Sequence, residues 1–157
     1  MNEDLRKMLE AAREASRGLN RCQEADINRL LLSAADKVEA AIDKILAANA
    51  TDLARMDKDN PKYDRLKLTP DRIRAIADMR SVASLPSPLR RTLAEWTQPN
   101  GMRIRKVSVP FGVVGVIYEA RPNVTFDVFS ILMKSGNACV LKGGSDADAS
   151  NRAAVEV

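Results

Sequence analysis

The sequence has no histidine, only two cysteines, and six aromatic residues (three Phe, two Tyr, one Trp) in 157 positions. Without histidine, and with Cys22 and Cys139 far apart, the donor set of a zinc site is missing. Two isolated cysteines are not a disulfide framework and point to a reducing, cytoplasmic setting. Few aromatics mean few stacking platforms. The formal net charge is +4, and the basic residues are spread along the chain, so the reading is no nucleic-acid partner. No apolar run approaches the roughly 18 residues of a membrane span. The opening stretch MNEDLRKMLEAAREASRG has no apolar segment of the kind found in secretion signals. Also absent is a G-x-G-x-x-G string, the usual dinucleotide fingerprint.

What is present is a globular composition, 45% hydrophobic and 29% charged, in a chain long enough to bury a core. Asn2 fits an N-cap, with Glu3 and Asp4 in the first turn. Leu5, Met8, Leu9, Ala12 and Ala15 share one helical face, and Gly18 closes that helix. A longer helix follows from about Glu24 to Ala48. Its apolar stripe runs through Ile27, Leu30, Leu31, Ala34, Val38, Ala41, Ile42, Ile45 and Leu46, opposite charges at Arg29, Asp36, Lys37, Glu39, Asp43 and Lys44. The break at Gly18 favours packing on a globular body over a coiled coil. Thr51 is read as the cap of a short helix to Met56, and 57–67 as a polar loop. Thr69-Pro70-Asp71 is a helix start, with Ile73, Ile76, Ala77 and Val82 on its buried side. Leu85-Pro86-Ser87-Pro88 stops it. Asn100-Gly101 between LAEWTQP and MRIRKVSVP signals a two-residue β-hairpin turn, with a possible change of face at a bulge.

From Val107 to Ser150 the pattern becomes strand, turn, helix, strand, turn, helix. Phe111–Tyr118 is β-branched and apolar, read as a strand buried on both faces. Apolar residues crowd Val124–Lys134 too densely for one stripe, so that helix is expected to be buried on most sides. Ser135-Gly136-Asn137 stops it, with Gly136 free to take positive φ. Ala138–Leu141 is the second strand. Lys142-Gly143-Gly144 turns, and Ser145-x-x-Asp148 has the form of a capping box opening a last helix. This rhythm is a βαβ unit with a parallel sheet and a right-handed crossover. Such sheets bind ligands at the carboxyl ends of their strands, here Glu119–Asn123 and Lys142–Ser145.

The string VPFGVVGVIYEARPNVTFDVFSILMKSGNACVLKGG resembles the aldehyde dehydrogenase superfamily: a P-x-G-V-x-G-x-I strand, a P-x-N turn, a buried helix, then G-N-x-x-x-L-K and a small-residue turn. YEARPNVT and KSGNAxxLKGG are similar to its gamma-glutamyl phosphate reductase branch, and ILAANATDL and LTPDRIRAIA resemble it more weakly. The resemblance implies an α/β fold: the N-terminal part of an aldehyde-dehydrogenase-like cofactor domain. Residues 1–92 would be mainly helical, 93–109 a β-hairpin arm, and 110–157 a truncated βαβ unit on an incomplete Rossmann-like sheet. It implies NADP(H) as cofactor, a small-molecule substrate, and a homo-oligomer as the full-length protein. The implied reaction is NADPH-dependent reduction of L-glutamyl 5-phosphate to L-glutamate 5-semialdehyde with release of phosphate, in proline biosynthesis. This superfamily lacks G-x-G-x-x-G, so the missing fingerprint does not count against it.

On the residues alone, Asn123 is an N-cap; the resemblance makes its amide the donor that holds the oxyanion of a tetrahedral intermediate. Lys142 is either a solvated strand-end lysine or, as the resemblance implies, a contact to the adenosine ribose or its 2′-phosphate. Gly143 and Gly144 would let backbone approach the nucleotide, and Ser145 is a cap that also could touch the ribose. Arg121 would bind a carboxylate or acyl-phosphate oxygen, or else form an ion pair with Glu119 or Asp127. No metal is implied. The family chemistry also needs a nucleophilic cysteine. Cys139 sits in an apolar strand and Cys22 between two helices, and neither matches it. The chain ends at Val157 in a helix barely begun, so the expectation is part of a longer enzyme whose nucleophile lies outside this chain, the 157 residues alone being inactive. The rival readings are another aldehyde dehydrogenase, or a short, inactive binding module of the same fold.

Overall fold

The computed structural model describes residues 2–76, 78–119 and 121–157. α1 (Glu3–Leu19) starts at Asn2, whose side chain accepts the Asp4 amide at 3.1 Å. The anticipated long second helix is two: α2 (Glu24–Ala40) and α3 (Ile42–Leu53), broken at Ala41. No glycine or proline marks the break. Beyond it, Asn49 and Asp52 of α3 are buried in hydrogen bonds to residues 66, 68, 149 and 150. Long-range polar contacts thus set the direction of α3, and Thr51 lies inside it rather than capping a new helix. The polar loop contains one short turn of helix, α4 (Tyr63–Leu66). α5 (Pro70–Ile76) is capped by Thr69, whose hydroxyl accepts the Arg72 amide at 3.1 Å. α6 (Met79–Ser84) ends at the proline pair as expected. Ile73 is fully buried and Val82 half-buried; Ala77 and the Ile76 side chain lie outside the described residues.

β1 (Thr92–Thr97) and β2 (Arg103–Val107) form an antiparallel hairpin with a register shift between Thr92 and Ala94. Its turn is longer than two residues. Gln98 and Met102 pair through Gln98 N–H to Met102 O at 2.9 Å, and Gly101 donates to Gln98 O with its own φ at 82°. Gly101 therefore sits in the left-handed position that closes a three-residue loop.

β3 (Val113–Ile117) and β4 (Ala138–Lys142) pair in parallel, from Val113 opposite Ala138 to Ile117 opposite Lys142. α7 (Asn123–Lys134) connects them. Its end is a Schellman cap: Asn137 N–H reaches Leu132 O at 2.8 Å, Gly136 N–H reaches Met133 O at 3.0 Å, and Gly136 has φ 72°. β3 is not buried on both faces. Ile117 is 86% exposed and Phe111, just before the strand, is 94% exposed, because β4 is the only strand paired with β3 among the described residues. α7 is likewise less enclosed than expected. Thr125, Phe126, Ser130 and Lys134 are buried, but Asp127 and Ile131 face outward.

The core gathers Ala35 and Val38 of α2, Ile45 of α3, Leu68, Ile73 of α5, Met79 of α6, Phe126 of α7 and Ala154 of the last helix, α8 (Asp148–Val155). Burying a side chain the size of Ile or Met contributes about 1.5–3 kcal/mol. The mixed α/β architecture, helices with two small sheets of which one is a hairpin, is the one the sequence pattern predicts.

Candidate functional site

The carboxyl ends of β3 and β4 lie side by side. Tyr118 N–H donates to Lys142 O at 3.1 Å, extending the ladder one step past Ile117. Beyond that bond the chain runs from Glu119 to Asn123 on one side and from Lys142 to Ser145 on the other, so the two segments singled out from the sequence meet at one edge.

Asn123 is not an N-cap. Pro122 holds the cap position, and Asn123 is the first helical residue, its amide donating to Asp127 at 3.1 Å. The proline ring presets φ for the turn into α7, which frees the Asn123 side chain from capping. Burial raises the Asp127 pKa, while the Asn123 hydrogen bond pulls it part of the way back.

Lys142 is exposed, and its ammonium donates to Gly143 O at 2.6 Å, leaving two donors without a partner among the described residues. Space at Gly143 is tightly held: a Cβ there would collide with the Asn151 side chain of α8 and come within 3.4 Å of the Tyr118 hydroxyl. The missing side chain thus serves contact between strand end and helix. Asn151 accepts from the Thr125 hydroxyl at 3.2 Å, and Thr125 bonds Tyr118 at 2.6 Å. This chain of hydroxyls and amide ties β3, α7 and α8 together beneath the edge. Ser145 does not form a capping box. It opens a 3-10 turn (Ser145–Ala147), so α8 begins three residues later, without a side-chain cap from its own segment. The cap comes from α3. Asp52 accepts from Ala149 N–H at 3.1 Å, Ser150 N–H at 2.8 Å and the Ser150 hydroxyl at 2.6 Å.

Arg121 makes no ion pair or hydrogen bond through its side chain among the described residues. Its two anticipated partners are taken. Asp127 holds Asn123, and Glu119 pairs with Lys62 at 2.6 Å. The hydrogen bond and charge of each lower the Glu119 pKa and raise that of Lys62. Lys62 also lies 3.6 Å from Asp146, so it bridges the ends of both strands. Nothing in the sequence pattern singled out Lys62, Asn151 or Asp52; each acts on a residue far along the chain. Arg121, Asn123 and Asp127 share a cleft of about 410 Å³ with Asp64, Arg65, Lys67, Leu68, Arg72 and Ala75. A larger cavity of about 950 Å³ lies between α1, α2, α7, β4 and α8. Its lining is mainly apolar and contains neither Asn123 nor Lys142, so the smaller, charged cleft is the better candidate for chemistry.

Neither cysteine belongs to this edge. Cys139 is half-buried in β4, opposite Val114, and burial pushes its thiol pKa up, away from a reactive thiolate. Cys22 lies between α1 and α2, its thiol 3.7 Å from Gly18 O. No group of three or more metal-ligating side chains occurs among the described residues, and no described helix is long and apolar enough to cross a membrane.

No family model matches the chain. Curated relatives do. The chain is 60% identical over 156 residues to a gamma-glutamyl phosphate reductase of Phocaeicola vulgatus, covering 99% of this chain and 37% of that protein. It is 59% identical over 158 residues to one of Bacteroides thetaiotaomicron, covering 100% of this chain and 38% of that protein. The chain therefore spans rather more than a third of the length of these relatives. Its fold matches a gamma-glutamyl phosphate reductase from Thermotoga maritima with a TM-score of 0.93 at 33% identity, over 98% of this chain and 38% of that one. A Saccharomyces cerevisiae gamma-glutamyl phosphate reductase gives 0.90 at 27%, over 96% and 39%. A probable aldehyde dehydrogenase from Listeria monocytogenes, at 0.64 and 16% identity over 98% and 34%, shares the fold.

Proposed function

The chain belongs to the gamma-glutamyl phosphate reductases of the aldehyde dehydrogenase superfamily, and on that premise we propose that it carries the cofactor-side edge and oxyanion donor of such an enzyme. The whole protein reduces L-glutamyl 5-phosphate to L-glutamate 5-semialdehyde and releases phosphate, as a step of proline biosynthesis. NADPH, when bound, supplies the hydride. The acyl group is carried as a thioester on a cysteine that is neither Cys22 nor Cys139, and the 157 residues alone do not turn over. The setting is cytoplasmic, and the full-length protein is a homo-oligomer in which the β1–β2 hairpin is the arm.

The observation that carries this reading is the parallel pairing of β3 with β4 through to Tyr118 and Lys142. It brings Asn123 and the Lys142–Ser145 turn to one edge. The residues there fit a phosphorylated dinucleotide: an exposed ammonium with free donors at Lys142, a backbone turn at Gly143-Gly144, and an exposed hydroxyl at Ser145. Lys142 would hold the ribose or its 2′-phosphate as a point charge, with Ser145 beside it. The Asn123 amide hydrogen-bonds a carboxylate in this structure. It would turn from Asp127 to the acyl oxygen as negative charge develops there, a neutral donor worth about 3 kcal/mol of transition-state stabilisation. Arg121, with no side-chain partner among the described residues, would take a carboxylate or acyl-phosphate oxygen.

The test is fluorescence titration of the chain with NADPH. Binding should weaken at least about tenfold in Lys142→Ala, the loss of one charge-assisted contact. Equal affinities for the two forms would remove Lys142 from the site.

A further inference from the structure

The cleft in front of Asn123 carries more positive charge than its own carboxylates neutralise. Four cations line it, Arg65, Lys67, Arg72 and Arg121, against Asp64 and Asp127. Arg72 is spoken for. Its guanidinium donates to the carbonyls of Asp64 and Lys67, both at 2.7 Å, and pairs with the Asp64 carboxylate at 3.2 Å. That fork ties α4, which carries Arg65, to the connection into α5, which carries Lys67. Arg65, Lys67 and Arg121 make no side-chain hydrogen bond or ion pair among the described residues; a further carboxylate, Glu119, feels the Arg65 charge but is held by Lys62. Unpaired cations are ordinary on open surface. Three of them around one concavity repel one another, and a bound anion would relieve that repulsion.

We propose that this cleft is the oxyanion-recognition site for an amino-acid acyl phosphate. Arg65 and Lys67, from the helical segment that precedes both sheets, are its specificity-determining residues beside Arg121. The proposal rests on the reductase reading for the identity of the substrate, but not for the existence of the anion site. An acyl phosphate of an amino acid offers two anionic ends, the phosphate and the α-carboxylate. Either suits guanidinium and ammonium donors. The Asp127 carboxylate at the same cleft opposes the anion and would accept from the substrate's ammonium group, so the charge layout discriminates against a plain acyl phosphate lacking an amine.

The experiment is isothermal titration of the chain with inorganic phosphate, with L-glutamate, and with NADPH in parallel. Saturable phosphate binding that falls about tenfold in Arg65→Gln and again in Lys67→Gln assigns the cleft to the phosphate end. The same losses seen with L-glutamate instead assign it to the carboxylate end. Asp127→Asn should tighten phosphate binding several-fold, a gain that damage to the fold would not produce. Lys58→Gln, a surface charge outside the cleft, should change nothing. Absence of saturable binding by either anion, or binding that Arg65→Gln and Lys67→Gln leave intact, would overturn the proposal. Weakening of NADPH binding by those two variants would also overturn it, since the cleft would then serve the cofactor. NADPH binding that depends on Lys142 while neither anion binds would sink the cleft and keep the reductase reading. The reverse pattern would keep the cleft alone.

Discussion

Two regions of this molecule invert the usual rule of burial. In the helical part, Asn49, Asp52 and Lys134 are polar and almost wholly inaccessible. In β3 and the segment that leads into it, Val109, Phe111 and Ile117 are apolar and wide open, each at least 74% exposed. The difference is one of partners. Every buried side-chain nitrogen and oxygen among the described residues has a hydrogen-bond partner, which is the condition for burying polar groups without large penalty. Among the described residues each sheet has only two strands, so Ile117 and the segment that leads into β3 have little to pack against. Buried polar contacts are strong where they converge on the ends of α7 and α8. Lys134 closes the far end of α7 by donating to Glu24, Asn28 and Ala83 O, and Asp52 caps α8. The helices that deliver Asn123 and flank the Lys142–Ser145 turn are thus held from behind.

The sharpest way to break this contrast is Asp52→Ala. It removes the acceptor of three hydrogen bonds at the start of α8 and leaves two amides and a hydroxyl buried without it. A loss of about 3 kcal/mol or more is expected, read as a lower urea midpoint at unchanged slope. Asp52→Asn, which keeps one accepting oxygen, should lose less. A change under about 0.5 kcal/mol in Asp52→Ala would mean that solvent replaces the lock and that the helical part is no better fastened than the strands.

What could be read in the sequence was local. Asn2, Thr69, Gly101 and Gly136 each announce a cap or turn through a residue type whose backbone preference acts within four positions, and all four act there. The βαβ rhythm is a pattern of neighbours too, and it led to the paired strand ends from which the segments 119–123 and 142–145 emerge. Local reasoning failed where a distant residue did the same job better. Ser145-x-x-Asp148 has the letters of a capping box, but Asp52, 98 residues earlier than Ser150, takes the amides. Asn123 has the letters of a cap, but Pro122 holds the position. The break at Ala41 carries no breaker residue. Lys62, Arg65, Lys67 and Asn151 reach the edge through the tertiary fold and form no motif with the residues they approach. Strand burial was overestimated because apolar composition records what could be covered, not what this chain covers.

An intermediate test lies on the junction of the two regions. Gly136 ends α7 with φ 72°, and a Cβ there would come within 2.6 Å of the Leu89 side chain. Leu89 can turn aside, but the left-handed backbone remains strained for any L side chain. Gly136→Ala should therefore destabilise by about 1–2 kcal/mol in urea. Loss of less than about 0.3 kcal/mol would indicate that the α7 terminus relaxes freely and that the Schellman cap does not fix where β4 begins.

The smallest effect is the one that isolates the strand region. Phe111→Ser removes a ring that is 94% exposed, so within this chain there is almost no packing to lose. Stability should stay within about 0.5 kcal/mol of the parent, against the much larger loss for a buried polar residue such as Asp52. The same substitution should lower any self-association seen by sedimentation, because exposed apolar side chains beside unpaired strand edges favour chain-to-chain contact. If Phe111→Ser instead unfolded the chain as readily as Asp52→Ala, the ring would be buried in solution, and the strands would be as fully enclosed as the helices behind them.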